Sequence, residues 1–240
     1  MHAYPVKKLV NLLESSANVF LGTTQQIAEA AVATGDPEHV RQIGGQFAIV
    51  QQVGHLVRMA RSIGRPMRYF LAKQVDGPLL IVAERMDEIK AHLASLGLSE
   101  QFHPSYTRMV PAHFVVEIAL VGCPDPSPQC TRYFTPQRNS LPADLDLIGK
   151  AYIGAIADEC NRWLDQIPSR EPIGVLFSGG IDSGSVLLVL YHLLRKRGES
   201  PTRLKAFTLS VDGIGADAAQ AERFLGELDL GMFLEVVEVP

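Results

Sequence analysis

Apolar positions recur at two different periods along this chain. Before residue 122 they come in short runs broken by Gly, Pro or Asp: Gln46 to Gln52, Leu56 to Ala60, Tyr69 to Ala72, Leu79 to Ala83 and His113 to Val121. That pattern predicts an antiparallel β-rich half. Two helices interrupt it. Asp36-Pro37-Glu38 reads as a helix start, and Met86 to Leu96 carries apolar residues at helical spacing. After residue 143 the period lengthens. Leu145, Ile148, Tyr152, Ala155, Ile156, Trp163 and Leu164 predict one amphipathic helix from about Asp144 to Gln166, packed on a sheet. Strand and helix then alternate: Ile173 to Phe177, Ser183 to Arg197, Leu204 to Val211, Ala216 to Leu228 and Leu234 to Val239. Such alternation predicts a parallel α/β sheet. Three strands and two crossovers make half a doubly wound domain, so the Val-rich last strand is expected to leave an apolar edge for a partner or missing sequence to complete.

Between the halves, prolines at 124, 126, 128, 136 and 142 give the span 123–143 a linker signature. The expected domains are therefore 1–122 and 144–240. At 240 residues with 47% hydrophobic and 20% charged content, the chain has ample material for a buried core, which argues against disorder and against a fibrous or low-complexity chain. The formal net charge of -4 argues against nucleic acid as an obligate partner. The N-terminus carries no apolar stretch of the secretory kind, and nothing in the sequence reads as a membrane span. A soluble, cytoplasmic protein is the expectation. Cys123, Cys130 and Cys160 are too few and too irregularly spaced for a disulfide set or a zinc site, and are read as reduced side chains.

One segment carries chemistry. Ile173 to Phe177 is an apolar strand that runs into Ser178-Gly179-Gly180-Ile181-Asp182-Ser183 and then a helix. Glycines without Cβ atoms let backbone N–H groups approach an anion, and the helix adds its partial positive end. Ser178 and Ser183 add hydroxyl donors. Asp182 is an anion in a place built for anions, which makes sense if it holds a divalent metal bridging to phosphate oxygens. The alternative is a plain turn with Asp182 as a helix N-cap. Five specified positions match by chance in a chain of this length with a probability on the order of 10⁻³ or less. Two better-known phosphate loops are excluded: no lysine follows the glycines as a Walker loop requires, and the adjacent glycines do not fit G-x-G-x-x-G.

At these residues the chain resembles the pyrophosphate-loop ATP pyrophosphatases, whose S-G-G-x-D-S loop binds the β,γ-pyrophosphate of ATP. The flanking runs Pro172 to Phe177 and Lys205 to Val211 look most like asparagine synthetases within that superfamily. The resemblance implies that Ser178, Gly179, Gly180, Asp182 and Ser183 hold pyrophosphate and Mg²⁺. It also implies that Leu176 and Leu209 offer backbone groups to adenine. The first half resembles the later part of the family's glutamine amidotransferase domain, in Gly44 to Val50, Ala60 to Pro66, Val82-Ala83-Glu84 and Thr131 to Phe134. It departs in one decisive respect: that enzyme uses an N-terminal cysteine, whereas position 2 is His2 and no cysteine precedes Cys123. The Asp expected after Arg61 is Ser62. His2, His55 and His103 have no nucleophile to activate and read as surface or loop residues.

The resemblance therefore implies a reduced amidotransferase-like sandwich followed by the first part of a doubly wound ATP pyrophosphatase domain. Its expected chemistry is ATP- and Mg²⁺-dependent amide formation from a carboxylate substrate through an acyl-adenylate, with ammonia or a substrate amine as nucleophile, as in lactam-forming relatives. Two rivals stand beside it. One is a nucleotide-binding or scaffolding fragment completed by a second polypeptide or a homo-oligomer; the other is a transfer-RNA-modifying enzyme. The latter needs basic surface, and Arg195, Lys196, Arg197, Arg203 and Lys205 form the sole cluster, read here as a solvated helix end.

Overall fold

The computed structural model describes residues 8–75, 77–119, 127–211 and 216–239. His2 and Cys123 lie outside the described residues. The chain divides into two compact units, Met1–Gln137 and Arg138–Pro240.

The first unit contains, in chain order, β1 (Lys8–Asn11), β2 (Val19–Phe20), α1 (Gln25–Thr34), α2 (Pro37–Arg41), β3 (Gly45–Gln46), β4 (Ala48–Val53), β5 (Leu56–Arg61), β6 (Arg68–Ala72), β7 (Leu79–Ala83), α3 (Met86–Ser95), β8 (Arg108–Met109), β9 (Phe114–Ala119) and β10 (Gln129–Arg132). Two four-stranded sheets, in the orders β1-β7-β6-β8 and β10-β9-β5-β4, share one apolar cluster. Strand alternation decides what each face meets. Val57 and Met59 of β5, Val116 and Ile118 of β9, and Leu80 and Val82 of β7 meet between the sheets. The intervening residues point outward. Ile49, Ala60 and Val115 pack under α1 and α2 through Ala28, Val32 and Val40, while Leu79, Ile81 and Ala83 pack under α3 through Ile89 and Leu93. The result is four layers, helix, sheet, sheet, helix. Asp36 caps α2, its carboxylate accepting from the Glu38 N–H.

Two features differ from the sequence reading. β1 pairs with β7 in parallel, so the half is not wholly antiparallel. And the expected linker over 123–143 contributes a strand: β10 pairs along β9 from Gln129↔Glu117 to Arg132↔Phe114. Pro128 and Pro136 flank this strand without entering it, so no ladder hydrogen bond is lost to proline.

The second unit runs α4 (Leu145–Leu164), β11 (Ile173–Leu176), α5 (Ile181–Lys196), β12 (Leu204–Val211), α6 (Ala216–Glu227) and β13 (Leu234–Val239). The strands form a parallel sheet in the order β11-β12-β13. Right-handed crossovers that step repeatedly in one direction place their helices on one face. Accordingly Ile173, Val175, Leu204 and Ala206 bury against Leu187, Leu190 and Leu194 of α5 and Ala221 and Leu225 of α6. The described strands are thus covered by helices on one face. Their other face is open: Leu176 is 84% exposed, Leu209 59% and Val211 50%. Gly174 leaves room there for the Phe207 ring, whose Cε2 would lie 3.1 Å from an added Cβ. The long amphipathic helix α4 begins after its cap Asp144 and rests chiefly on α5, not on the sheet as expected. No helix among the described residues is long and apolar enough to cross a membrane.

Candidate functional site

The six residues Ser178 to Ser183 join the carboxyl end of β11 to the first turn of α5, the position at which parallel α/β sheets present ligand sites. Gly179 adopts φ +75°, the left-handed region that glycine reaches without strain. Gly180 is the residue at the N-cap of α5, and having no side chain it makes no capping bond. The N–H groups of the first helical turn have no carbonyl partners within the helix. They are left for a ligand or solvent.

The hydroxyls around this turn are loosely engaged. Ser178 Oγ and Ser183 Oγ lie 3.2 Å apart, the Gly180 N–H donates to Ser178 Oγ at 3.4 Å, and the Ser183 hydroxyl donates to the Gly180 carbonyl at 3.3 Å. The Ser178 N–H donates to Ser183 Oγ at 3.3 Å. Bonds this long are weak and exchange readily for a charged acceptor. Asp182 is exposed in the first turn of α5. It is not the N-cap, and the reading that made it one does not describe this helix.

The donor set suits Mg²⁺ bound with a nucleotide, not alone. Among the described residues no group of three His, Cys, Asp or Glu side chains could cage a metal. Mg²⁺ is commonly held by one or two carboxylates with substrate phosphates and water, and one exposed carboxylate beside an uncapped helix end meets that requirement. Leu176 and Leu209 stand near the carboxyl ends of adjacent strands. Leu176 pairs with Phe207, so Leu209 is its diagonal neighbour on the open face.

Helix α6 buttresses the loop, through residues to which the sequence reading gave no role. Gln220 Nε2–H donates to the Gly179 carbonyl at 2.9 Å. The Phe224 ring lies 5.6 Å from that of Phe177, centroid to centroid, and its Cζ would lie 3.2 Å from a Cβ on Gly184. The signal that could have found Gln220 is its setting, Ala218-Ala219-Gln220-Ala221, where small neighbours allow a helix to approach another backbone closely.

The basic cluster is partly spent on structure. Arg197 pairs with Asp165 at 2.8 Å and Glu199 at 3.0 Å, tying the end of α5 to the end of α4. Arg203 pairs with Glu199 and donates to the Glu171 and Pro168 carbonyls. Arg195 lies over the Tyr191 ring, 5.8 Å from its centroid, so Arg195, Arg197 and Arg203 all have intramolecular partners.

In the first unit the segments around Gln46, Arg61, Glu84 and Tyr133 meet one another. Ser62 Oγ accepts from the Phe47 N–H at 2.9 Å and donates to Gln46 Oε1 at 3.0 Å. The buried Arg61 guanidinium donates to the carbonyls of Val110, Ser62 and Arg65, and burial holds its pKa below the usual value. Arg65 pairs with Glu84. His55 and His103 are exposed. Cys130 and Cys160 are free thiols, and burial raises the pKa of Cys160, with Glu159 adding to the shift.

No curated protein matches the chain. Residues 164–236, from the last residue of α4 through the loop and α6 into β13, match the family model described as asparagine synthase.

Proposed function

We propose that the second unit binds Mg·ATP on the Ser178 to Ser183 loop and activates a carboxylate for amide formation, as an asparagine-synthetase-like ligase. The observation that supports this most is the coincidence of two facts. The S-G-G-x-D-S loop opens an uncapped helix at the carboxyl edge of a parallel sheet, and it lies inside the span that matches the asparagine synthase family.

In the proposed reaction a substrate carboxylate oxygen attacks the α-phosphorus of ATP and the bond to the pyrophosphate oxygen breaks. The Gly179 and Gly180 backbone N–H groups and the Ser178 and Ser183 hydroxyls receive charge as it develops on the departing pyrophosphate. Donors already aimed at that position lower the barrier without reorganising. Asp182 would hold Mg²⁺, which supplies neutralisation of phosphate charge. Backbone groups at Leu176 and Leu209 would receive the adenine. An amine then attacks the acyl carbon, AMP leaves with the bonding electrons, and the amine proton passes to solvent. On this reading the amine is free ammonia or part of the substrate itself. Radiolabelled pyrophosphate exchange into ATP, screened across small carboxylates, tests the activation step: exchange that depends on a carboxylate supports it, and none with any carboxylate opposes it.

A second reading is favoured by one observation, the open sheet face that includes Leu176, Leu209 and Val211. Parallel sheets are normally covered on both faces. On this reading the second unit binds nucleotide and acts only when further polypeptide covers that face. Pyrophosphate exchange that appears only on adding a partner would separate it from the first.

A further inference from the structure

Gln220 stands outside the S-G-G-x-D-S motif and yet is hydrogen-bonded to the peptide group at its centre. Its side-chain N–H donates to the Gly179 carbonyl at 2.9 Å. A trans peptide is planar, with its C=O and N–H pointing in opposite directions. Holding the Gly179 carbonyl toward α6 therefore turns the Gly180 N–H away from α6. That N–H faces Ser178 Oγ, inside the ring of hydroxyls made by Ser178 and Ser183. The glycine on this plane needs such an anchor. At φ +75° it has no Cβ to restrain it, and a second glycine follows it.

Packing supports the same assignment. A Cβ on Gly179 would come within 2.7 Å of the Ala221 N and 2.9 Å of the Gln220 carbonyl carbon, so the backbone of α6 is in close contact with the turn. One turn further along α6, Phe224 packs on Phe177, the residue just before the loop. Helix α6 thus holds the loop on both sides of Ser178, sterically at Phe177 and by a directed hydrogen bond at Gly179.

We propose that Gln220 is a positioning residue for the pyrophosphate end of the site, keeping the Gly180 N–H aimed at the anion; this rests on the loop being the pyrophosphate site. The consequence is selective. Loss of the Gln220 bond should weaken ligands that carry the β,γ-phosphates and leave AMP, which lacks them, unaffected.

The test compares wild type with Gln220→Ala and Gln220→Glu for binding of Mg·ATP, Mg·pyrophosphate and AMP, together with melting temperature. Gln220→Ala should weaken Mg·ATP and Mg·pyrophosphate about 3- to 10-fold, the range of one net hydrogen bond. AMP affinity and melting temperature should hold. Gln220→Glu removes the donor and adds a negative charge, and should weaken both pyrophosphate ligands further. In ¹⁵N spectra, pyrophosphate should shift the Gly180 amide in wild type and shift it less in Gln220→Ala. Equal pyrophosphate affinity in all three proteins, or a parallel loss of AMP binding and thermal stability, would overturn the assignment. Wild type that binds AMP but not pyrophosphate would overturn the underlying placement of the anion as well.

Discussion

The Tyr133 hydroxyl donates to the Arg61 carbonyl at 2.6 Å, joining residues 72 positions apart. Tyr133 follows β10 and is buried, and its ring packs near that of Phe47. The bond closes the first unit at the point where Arg61 gathers the surrounding carbonyls. Tyr133→Phe keeps the ring and removes the bond, leaving one buried carbonyl lone pair unpaired. It should cost about 1 kcal/mol in urea denaturation of the first unit.

The same tyrosine carries a pH signature. Burial pushes its phenol far above its ordinary value, outweighing the opposite pull of the Arg61 charge. The fold therefore accepts only the neutral form, whereas an unfolded tyrosine ionises near about pH 10. The stability linked to this group is intact below that pH and is lost progressively above it. Urea midpoints measured from about pH 8 to about pH 11 should fall more steeply in wild type than in Tyr133→Phe. Parallel curves would show that Tyr133 ionises freely in the folded protein.

How much of this was legible in the sequence depends on what each signal encodes. β7, β12 and β13 have the bounds that their apolar runs suggest, and α4 starts within one residue of the expected Asp144. Periodicity reports which side of an element is apolar but not what that side meets, so the pattern of α4 does not distinguish packing on the sheet from packing on α5, where it rests. α1 leaves little signal in the sequence because its buried contacts come from Ala28 and Val32, while its largest apolar residue, Ile27, is 60% exposed. β10 was hidden by flanking prolines, since a composition signal averages over a window that one four-residue strand does not fill. The S-G-G-x-D-S motif stands out in the sequence because its residues are contiguous. Gln220 does not, because its partner is a backbone carbonyl 41 positions away.

Gly179 should tolerate no side chain. Gly179→Ala would place a Cβ in a left-handed conformation, at about 1–2 kcal/mol, and against the backbone of α6 at 2.7 Å. The second unit of this variant should melt earlier, and Mg·ATP binding should be lost. A variant that melts and binds as wild type does would mean that the turn has another conformation in solution.

The open sheet face makes a prediction about association. Leu176 and Leu209 expose apolar surface side by side, so the purified chain should self-associate in light scattering. Replacing both with Ser should reduce the associated fraction without lowering the melting temperature, because neither side chain is buried. A monodisperse monomer in both proteins would show that this face needs no cover.

The central claim is that the Ser178 to Ser183 loop holds Mg·ATP through backbone donors and Asp182. Calorimetric titration of wild type and Asp182→Asn with Mg·ATP tests it most directly, since Asp182 is exposed and its substitution spares the core. The account predicts saturable binding to wild type, weakened in Asp182→Asn by about 1.5–3 kcal/mol, the range of one charge-assisted contact. Without Mg²⁺ the order should reverse, because the Asp182 carboxylate then only repels the phosphates and Asp182→Asn removes that repulsion. Equal Mg·ATP affinity in wild type and Asp182→Asn, or no binding by wild type, would contradict it.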